Sequence, residues 1–248
     1  MPGPGDIVAA SFTSPIDAIY LGFIFDPIFT ASYPNSRKVE HISFLQAILR
    51  AFASPRVYPP ATAHLVDLAT LVQQYPDRTI ATFPECTTTN ARAILPLSRC
   101  LLSAPSNTKI FPVSLRYTSA DIVTPLPGRY VRFLWALVSE WKHLARVRVA
   151  EPVTSGKISA DGSGSSGATR RATYDTNYLD TFDAAQGGDS SSASDDGTIT
   201  ASETALLNHV ADALARLGRV RRVGLGVREK EDFVRMWTRN KRPWLWWL

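Results

Sequence analysis

Ten consecutive residues, Phe83-Pro84-Glu85-Cys86-Thr87-Thr88-Thr89-Asn90-Ala91-Arg92, bring together a carboxylate, a thiol, three adjacent hydroxyls, an amide and a guanidinium. A β-prone run over 79–83 precedes them and a helical pattern over 90–103 follows. The stretch therefore reads as a strand-to-helix turn at the C-terminal edge of a sheet, where open α/β folds bind their ligands. Glu85, Thr87, Thr88, Asn90 and Arg92, together with the free N–H groups of a helix start, would suit a phosphate. The plainer account is an ordinary connection in which Thr89 or Asn90 caps the helix. Cys86 is a conceivable hydrolase nucleophile, but no motif sets a histidine beside it.

A second candidate is Asp17. In Ser14-Pro15-Ile16-Asp17 the serine suits an N-cap, the proline the first helical position, and the aspartate the third, where it reaches back to free N–H groups. Paired with a histidine, the same carboxylate could orient a general base. The residue five positions upstream is Phe12, which cannot accept a proton. Of the four histidines, His41, His64, His143 and His209, none has an aspartate five residues later. His41 opens an expected helix and could approach the turn, although a surface or capping role explains it as well.

The elements that must hold these groups alternate along the chain. Strands are expected over 6–10, 79–83, 109–117 and 146–152, and helices from Ser14 onward and over 40–53, 61–75, 90–103 and 129–143. Ile16, Ile19, Tyr20, Phe23 and Ile24 form the apolar stripe of the first helix. This order predicts an α/β fold with a mostly parallel central sheet flanked by helices. Residues 154–199 contain GSGSSG and GGDSSSASDDG with few large apolar groups, and are expected to form a disordered insert. Thr200 and Glu203 then spell a capping box. Leu206, Leu207, Val210, Leu214 and Leu217 follow on one helical face, and Gly218 is a suitable stop. The chain thus divides into a core at 1–153, the insert at 154–199, and C-terminal helices at 200–248 that return to the core.

The formal net charge of +5 favours anionic partners, and basic residues crowd the last part of the chain, Lys230 among them. The final residues Trp244, Leu245, Trp246, Trp247 and Leu248 beside Lys241 and Arg242 have the composition of a membrane-interface anchor. Residues 130–144, rich in Phe, Trp and Leu and edged by arginine and lysine, fit either a bilayer surface or a helix packed on the sheet. No apolar run is long enough to span a bilayer. Residues 1–10 carry no basic start or cleavage pattern of a secretory signal. Two cysteines without CxxC or Cys/His spacing give neither a disulfide framework nor a metal site. The basic residues fall in no recognised nucleic-acid-binding module, so nucleic acid is not expected as a partner.

Phe83-Pro84-Glu85 followed by Thr87 and Asn90-x-Arg92 resembles the FPEG(T) block of the PlsC-type glycerolipid and lysophospholipid acyltransferases. Cys86 and Ala91 stand where that family usually has glycine. Pro4 through Asp17 resembles the opening strand and the NHxxxxD signature, with Asp17 at the aspartate, Ser11 at the asparagine and Phe12 at the histidine. Residues 110–117, with Pro112 central, resemble a later block that shapes the acceptor pocket, and Arg50 resembles an intervening arginine block. The pattern is most similar to fungal lysophosphatidate acyltransferase-like proteins, some of them linked to vacuolar sorting and lipid droplets.

The resemblance implies transfer from acyl-CoA, a co-substrate rather than a cofactor, to lysophosphatidate or a related lysophospholipid. It implies work at the cytosolic side of the endoplasmic reticulum or of a lipid droplet. Glu85, Thr87, Thr88, Asn90 and Arg92 would hold phosphate, Asp17 would support proton transfer, and Phe12 marks a degenerate catalytic position. Relatives carry a hydrophobic segment upstream of the matched region. The alternative is a catalytically inactive relative that binds lipid or serves membrane trafficking.

Overall fold

A computed structural model describes residues 1–154 and 199–239. Most of the expected insert and the Trp-rich tail lie outside the described residues. Strand β1 (Ile7–Ala10) is wholly buried and pairs in parallel with β5 (Ile80–Thr82) on one side and β7 (Lys109–Tyr117) on the other. Beyond β5 lies β2 (Ile28–Ala31), also parallel. Antiparallel strands finish both edges: β3 (Val39–Ile42) and β4 (Leu65–Val66) beyond β2, and β8 (Ala145–Val149) and β9 (Val153–Thr154) on β7. The centre of the sheet is therefore parallel, and the α/β class expected from the order of elements is what forms.

Alternation along the strands feeds two apolar layers. Ile7, Ala9, Ile80 and Ile110 meet Leu68 and Leu71 of α3 (Leu68–Gln74) and Leu206, Val210 and Leu214 of α5 (Ala201–Gly218). Val8, Ala10, Ala81 and Val113 face Ala18 and Leu21 of α1 (Pro15–Phe25) and Ala47 of α2 (Phe44–Arg50). The register sets Ala9 level with both Thr82 and Pro112, so β1 and β5 end side by side while β7 runs on to Tyr117. The segments following β1 and β5, which carry Phe12 and Phe83, leave the sheet as neighbours.

Helix α1 starts as expected, with Ser14 and Asp17 completing a capping box. Its buried face differs from the expected stripe. Pro15, Asp17, Ala18 and Leu21 point inward, while Ile19, Phe23 and Ile24 are exposed, Phe23 by 88%. The helix is apolar nearly all round, so periodicity does not select a face; the polar anchor at Asp17 sets its rotation instead. Gly22 lets α2 come close, because a Cβ there would sit 2.7 Å from the Phe44 ring.

The expected helix over 90–103 is replaced by β6 (Ala93–Ile94), an extended stretch and a 3-10 helix (Arg99–Ser103). Pro96 supplies the reason: it has no N–H to donate and disfavours the α region for Leu95. No helix N-terminus follows the turn, so that part of the expected phosphate site is absent. Likewise, the first residues of the expected helix at 40–53, 40–42, belong to β3, and α2 begins only after Ser43, which forms a capping box with Gln46. Within 61–75 only α3 is helical, preceded by β4.

Helix α5 opens on the capping box of Thr200 and Glu203, and Glu203 also pairs with Arg37 at 2.7 Å. It runs through Gly218, and Arg219 takes the left-handed cap that Gly218 was expected to provide. Two guanidinium groups from the sheet satisfy its last carbonyls: Arg148 donates to Leu217 O and Arg116 to Gly218 O, both at 3.0 Å. Then β10 (Arg221–Arg222) pairs in parallel with β6, leading into α6 (Val227–Arg239). Helix α4 (Tyr130–Ser139) lies between β7 and β8 in the chain, within the expected 129–143, and buries only Phe133.

Candidate functional site

The 83–92 turn is pinned at several points. Pro84 O accepts from Ser98 N at 2.8 Å, Ser32 Oγ donates to Phe83 O, and Thr89 N donates to Phe12 O at 2.7 Å. Glu85 is 1% exposed; its Oε2 accepts from Leu95 N at 3.3 Å, while the buried Oε1 has no hydrogen-bond partner. Burial pushes its carboxyl up to about 8, and the charge of Asp17 adds to this. The Leu95 and Phe12 amides and the Lys230 ammonium pull the other way.

Both residues at the family's glycine positions adopt left-handed backbone, Cys86 with φ of 61° and Ala91 with φ of 54°. Both side chains thus occupy a backbone region that favours glycine. The Cys86 thiol lies 3.5 Å from Ser32 Oγ and from Pro84 O, and burial pushes it up to about 12. That shift runs against the thiolate a nucleophile needs.

Asp17 is fully buried and crowded with donors. Its Oδ2 accepts from Thr13 N at 2.6 Å, Ser14 N at 2.8 Å and Thr13 Oγ1 at 3.0 Å, and its Oδ1 accepts from Tyr117 OH at 2.6 Å. Burial raises the carboxyl to about 6 against these bonds. Phe12 stacks on Phe83 with ring centroids 4.4 Å apart, so core packing fills the position five residues before Asp17. No histidine takes its place. His41, His64 and His209 are exposed, and His143 bonds Leu137 O at 2.7 Å through Nε2. His41 borders a hollow with Pro27 and Arg78, near the opposite end of the parallel strands.

A cavity of about 250 Å³ opens beside the turn, lined by Cys86 and Thr87, by Ile42, Leu49 and Arg50, and by Glu40 and Arg56. Arg50 lies over the Tyr33 ring at 4.8 Å, and its Nη1 is 3.3 Å from Tyr33 OH and 3.9 Å from Glu40 Oε2. Arg56 is exposed at the rim. Two guanidinium groups opposite one carboxylate, with an aliphatic wall, suit an anionic headgroup bearing an apolar tail.

Of the residues expected to hold phosphate, only Thr87 lines this cavity. Glu85 and Thr88 are buried apart from its lining, and Asn90 and Arg92 are exposed and bonded to each other, Arg92 N to Asn90 Oδ1 at 3.1 Å. Pro112 is level with Ala9 inside the sheet and does not reach the lining.

Lys230 had been only one basic residue among many in the sequence. It arrives on α6 and donates from Nζ to Thr88 O and, at 2.7 Å, to Thr88 Oγ1. Burial lowers its ammonium to about 7, and Glu85 opposes that shift. A signal was present: Val227 and Val234 are the buried residues of α6, and Lys230 lies between them on the same face. Arg56, Ser32 and Tyr117 were also missed as site residues, and nothing in their spacing marks them. Among the described residues no group of three or more His, Cys, Asp and Glu could hold a metal, and no helix is long and apolar enough to cross a membrane.

No family model matches the chain, and no solved structure matches it. It is similar to a protein of Schizosaccharomyces pombe that carries the provisional name lysophosphatidic acid:oleoyl-CoA acyltransferase. The two are 27% identical over 125 residues, covering 50% of this chain and 42% of that relative.

Proposed function

We propose that the chain transfers an acyl group from acyl-CoA to a lysophospholipid, lysophosphatidate foremost, at a membrane surface. What supports the reading is the cavity where Thr87 of the 83–92 turn meets Arg50 and Arg56, in a chain similar to a protein named for lysophosphatidic acid and oleoyl-CoA. The guanidinium groups would hold the acceptor phosphate bidentately. Ile42 and Leu49 would take the start of its acyl chain. Such a protein would work on the cytosolic face of the endoplasmic reticulum or of a lipid droplet.

The membrane part of the reading rests on exposed apolar side chains. Helix α4 presents Val131, Leu134, Trp135 and Val138 to solvent, with Trp141 beyond it 96% exposed and Arg129, Arg132 and Lys142 alongside. Phe52, just past α2, packs on Tyr130 and Phe133 with centroids 4.9 and 5.1 Å away. It thereby ties α4 to the end of α2, and α1 and α2 add Phe23, Ile24 and Leu45 to the exposed apolar side chains. Apolar patches of this kind with basic edges suit anionic lipid.

One observation favours a second reading, a lipid-binding protein without catalysis: the Phe12 and Phe83 stack occupies the place of the expected base. Expression in membranes lacking endogenous acyltransferase, with labelled oleoyl-CoA and lysophosphatidate, separates the two. Labelled phosphatidate is the expected product. Folded protein that binds lysophosphatidate but transfers oleate to no lysophospholipid would leave the second reading standing.

A further inference from the structure

The register of β7 against β8 sets like charges face to face. Arg116 stands directly opposite Arg146, and Arg148 stands opposite Ser114, two residues along the same face. Opposed like charges weaken a strand pair, so this arrangement calls for a compensating anion. Arg219 joins from the end of α5, and the four arginines line a hollow with Ser114, Leu217 and Gly218. Among the described residues no carboxylate lines it. Arginines elsewhere meet acids: Arg37 pairs with Glu203, Arg78 with Asp26 and Arg222 with Asp212.

The carbonyls that end α5 answer only part of this charge. Arg116 and Arg148 each direct one Nη1 at them, to Gly218 O and Leu217 O, out of the five N–H donors a guanidinium carries. Arg146 takes no part in that capping, and Arg219 is the cap residue itself, with φ of 51°. Arg116, Arg146 and Arg219 are exposed, Arg148 is half-buried, and Ser114 is buried beneath them. Gly218 keeps the hollow open, because a Cβ there would come within 3.4 Å of Ser114 Oγ.

We propose that this hollow is a second anion site and takes a phosphate ester of two or more negative charges. Guanidinium forks match phosphoryl oxygens bidentately, and one such group set between Arg116 and Arg146 turns their opposition into shared attraction. The hollow has no lining residue in common with the cavity beside the 83–92 turn. Strand β1 separates β7, on which it is built, from β5, which leads into that turn. The site is independent of the acyl transfer proposed above. Its ligand chemistry has two sources, the headgroup of a phospholipid in a bilayer or the phosphates of a soluble nucleotide.

The test uses the full chain carrying Arg56→Ala, which weakens the other anion site, as the parent. Arg146→Gln and Arg219→Gln are added to it together, leaving Arg116 and Arg148 on their helix carbonyls. Adenosine 3′,5′-bisphosphate is titrated by calorimetry, and flotation is measured with phosphatidylcholine vesicles with and without phosphatidate. The expected result is a loss of affinity of about 10–100-fold for a phosphate-bearing probe. Loss for phosphatidate vesicles alone assigns a lipid headgroup, loss for the nucleotide alone assigns a soluble ester, and loss for both assigns a site that accepts either. Without ligand, Arg146→Gln alone should melt no lower than the parent, since Arg116 is relieved of its opposed charge. Unchanged affinity for both probes, or a parent that binds neither, would overturn the site. A lowered melting temperature would do the same, by making Arg146 part of the scaffold.

Discussion

Lys230, carried on the last described helix, is brought to the turn that holds Glu85, and each shifts the other's proton equilibrium. Glu85 is held up at about 8 and Lys230 down at about 7, against ordinary values of 4.5 and 10.5. Burial moves both toward neutrality, and their mutual attraction resists it.

The sign of the resulting pH dependence follows from the Glu85 shift. A carboxyl whose folded pKa is raised favours the folded state fully below 4.5 and loses that contribution as pH rises through about 8. Glu85→Gln removes this limb. Urea denaturation should show the variant gaining on wild type as pH climbs from 4.5 to 8. Parallel curves over that window would contradict the assignment. Asp17 adds a fall of the same sign between 3.8 and about 6 in both proteins, so the comparison is cleanest above pH 6.

Ala91 holds φ of 54° with its Cβ in place. Left-handed backbone costs a non-glycine residue about 1–2 kcal/mol, partly offset by the extra unfolded-state entropy of glycine, about 0.5–1 kcal/mol. Ala91→Gly should therefore stabilise the protein by about 0.5–1 kcal/mol, read as a higher urea midpoint at unchanged slope. Cys86→Gly relieves the same strain but also loses the thiol's buried contacts, so its gain should be smaller.

Phe12→His tests the imidazole that the resemblance would place before Asp17. The Asp17 oxygens are already taken by Thr13, Ser14 and Tyr117, leaving little to orient a new ring. Breaking the stack with Phe83 and burying a polar ring should cost about 1–3 kcal/mol. We expect a lower melting temperature and no gain in kcat. A gain of tenfold or more, roughly 1.4 kcal/mol off the barrier, would show that Asp17 can still orient a base.

Arg56→Ala should weaken lysophosphatidate binding about 10–100-fold, the loss expected for a charge-assisted hydrogen bond worth about 1.5–3 kcal/mol. Arg56 is the cleaner target, since Arg50 also supports Tyr33 and Glu40. Titration calorimetry measures the change, and unaltered binding would remove the cavity from the phosphate site.

What could be read from the residues was local. Ser14 with Asp17, and Thr200 with Glu203, named their helix starts because capping is settled within four residues. The Phe83-Pro84-Glu85 turn was visible as the turn that follows a strand, but the left-handed backbone of Cys86 and Ala91 was not. Facing and long-range delivery were not. The outer side of α1 is as apolar as its inner side, so Phe23 looked like core. The helix expected over 90–103 failed because Pro96 outweighed an otherwise helical pattern. Lys230 reaches Thr88 across 142 positions, a pairing that no periodicity encodes.

That separation also orders events in time. Strands β1, β5 and β7 leave the ribosome well before α6 and can pair while α6 is still unmade. The layer over Ile7, Ile80 and Ile110 is covered only once α5 is complete, and the Thr88–Lys230 bonds close later still, so the last helix braces a turn whose strands are already made.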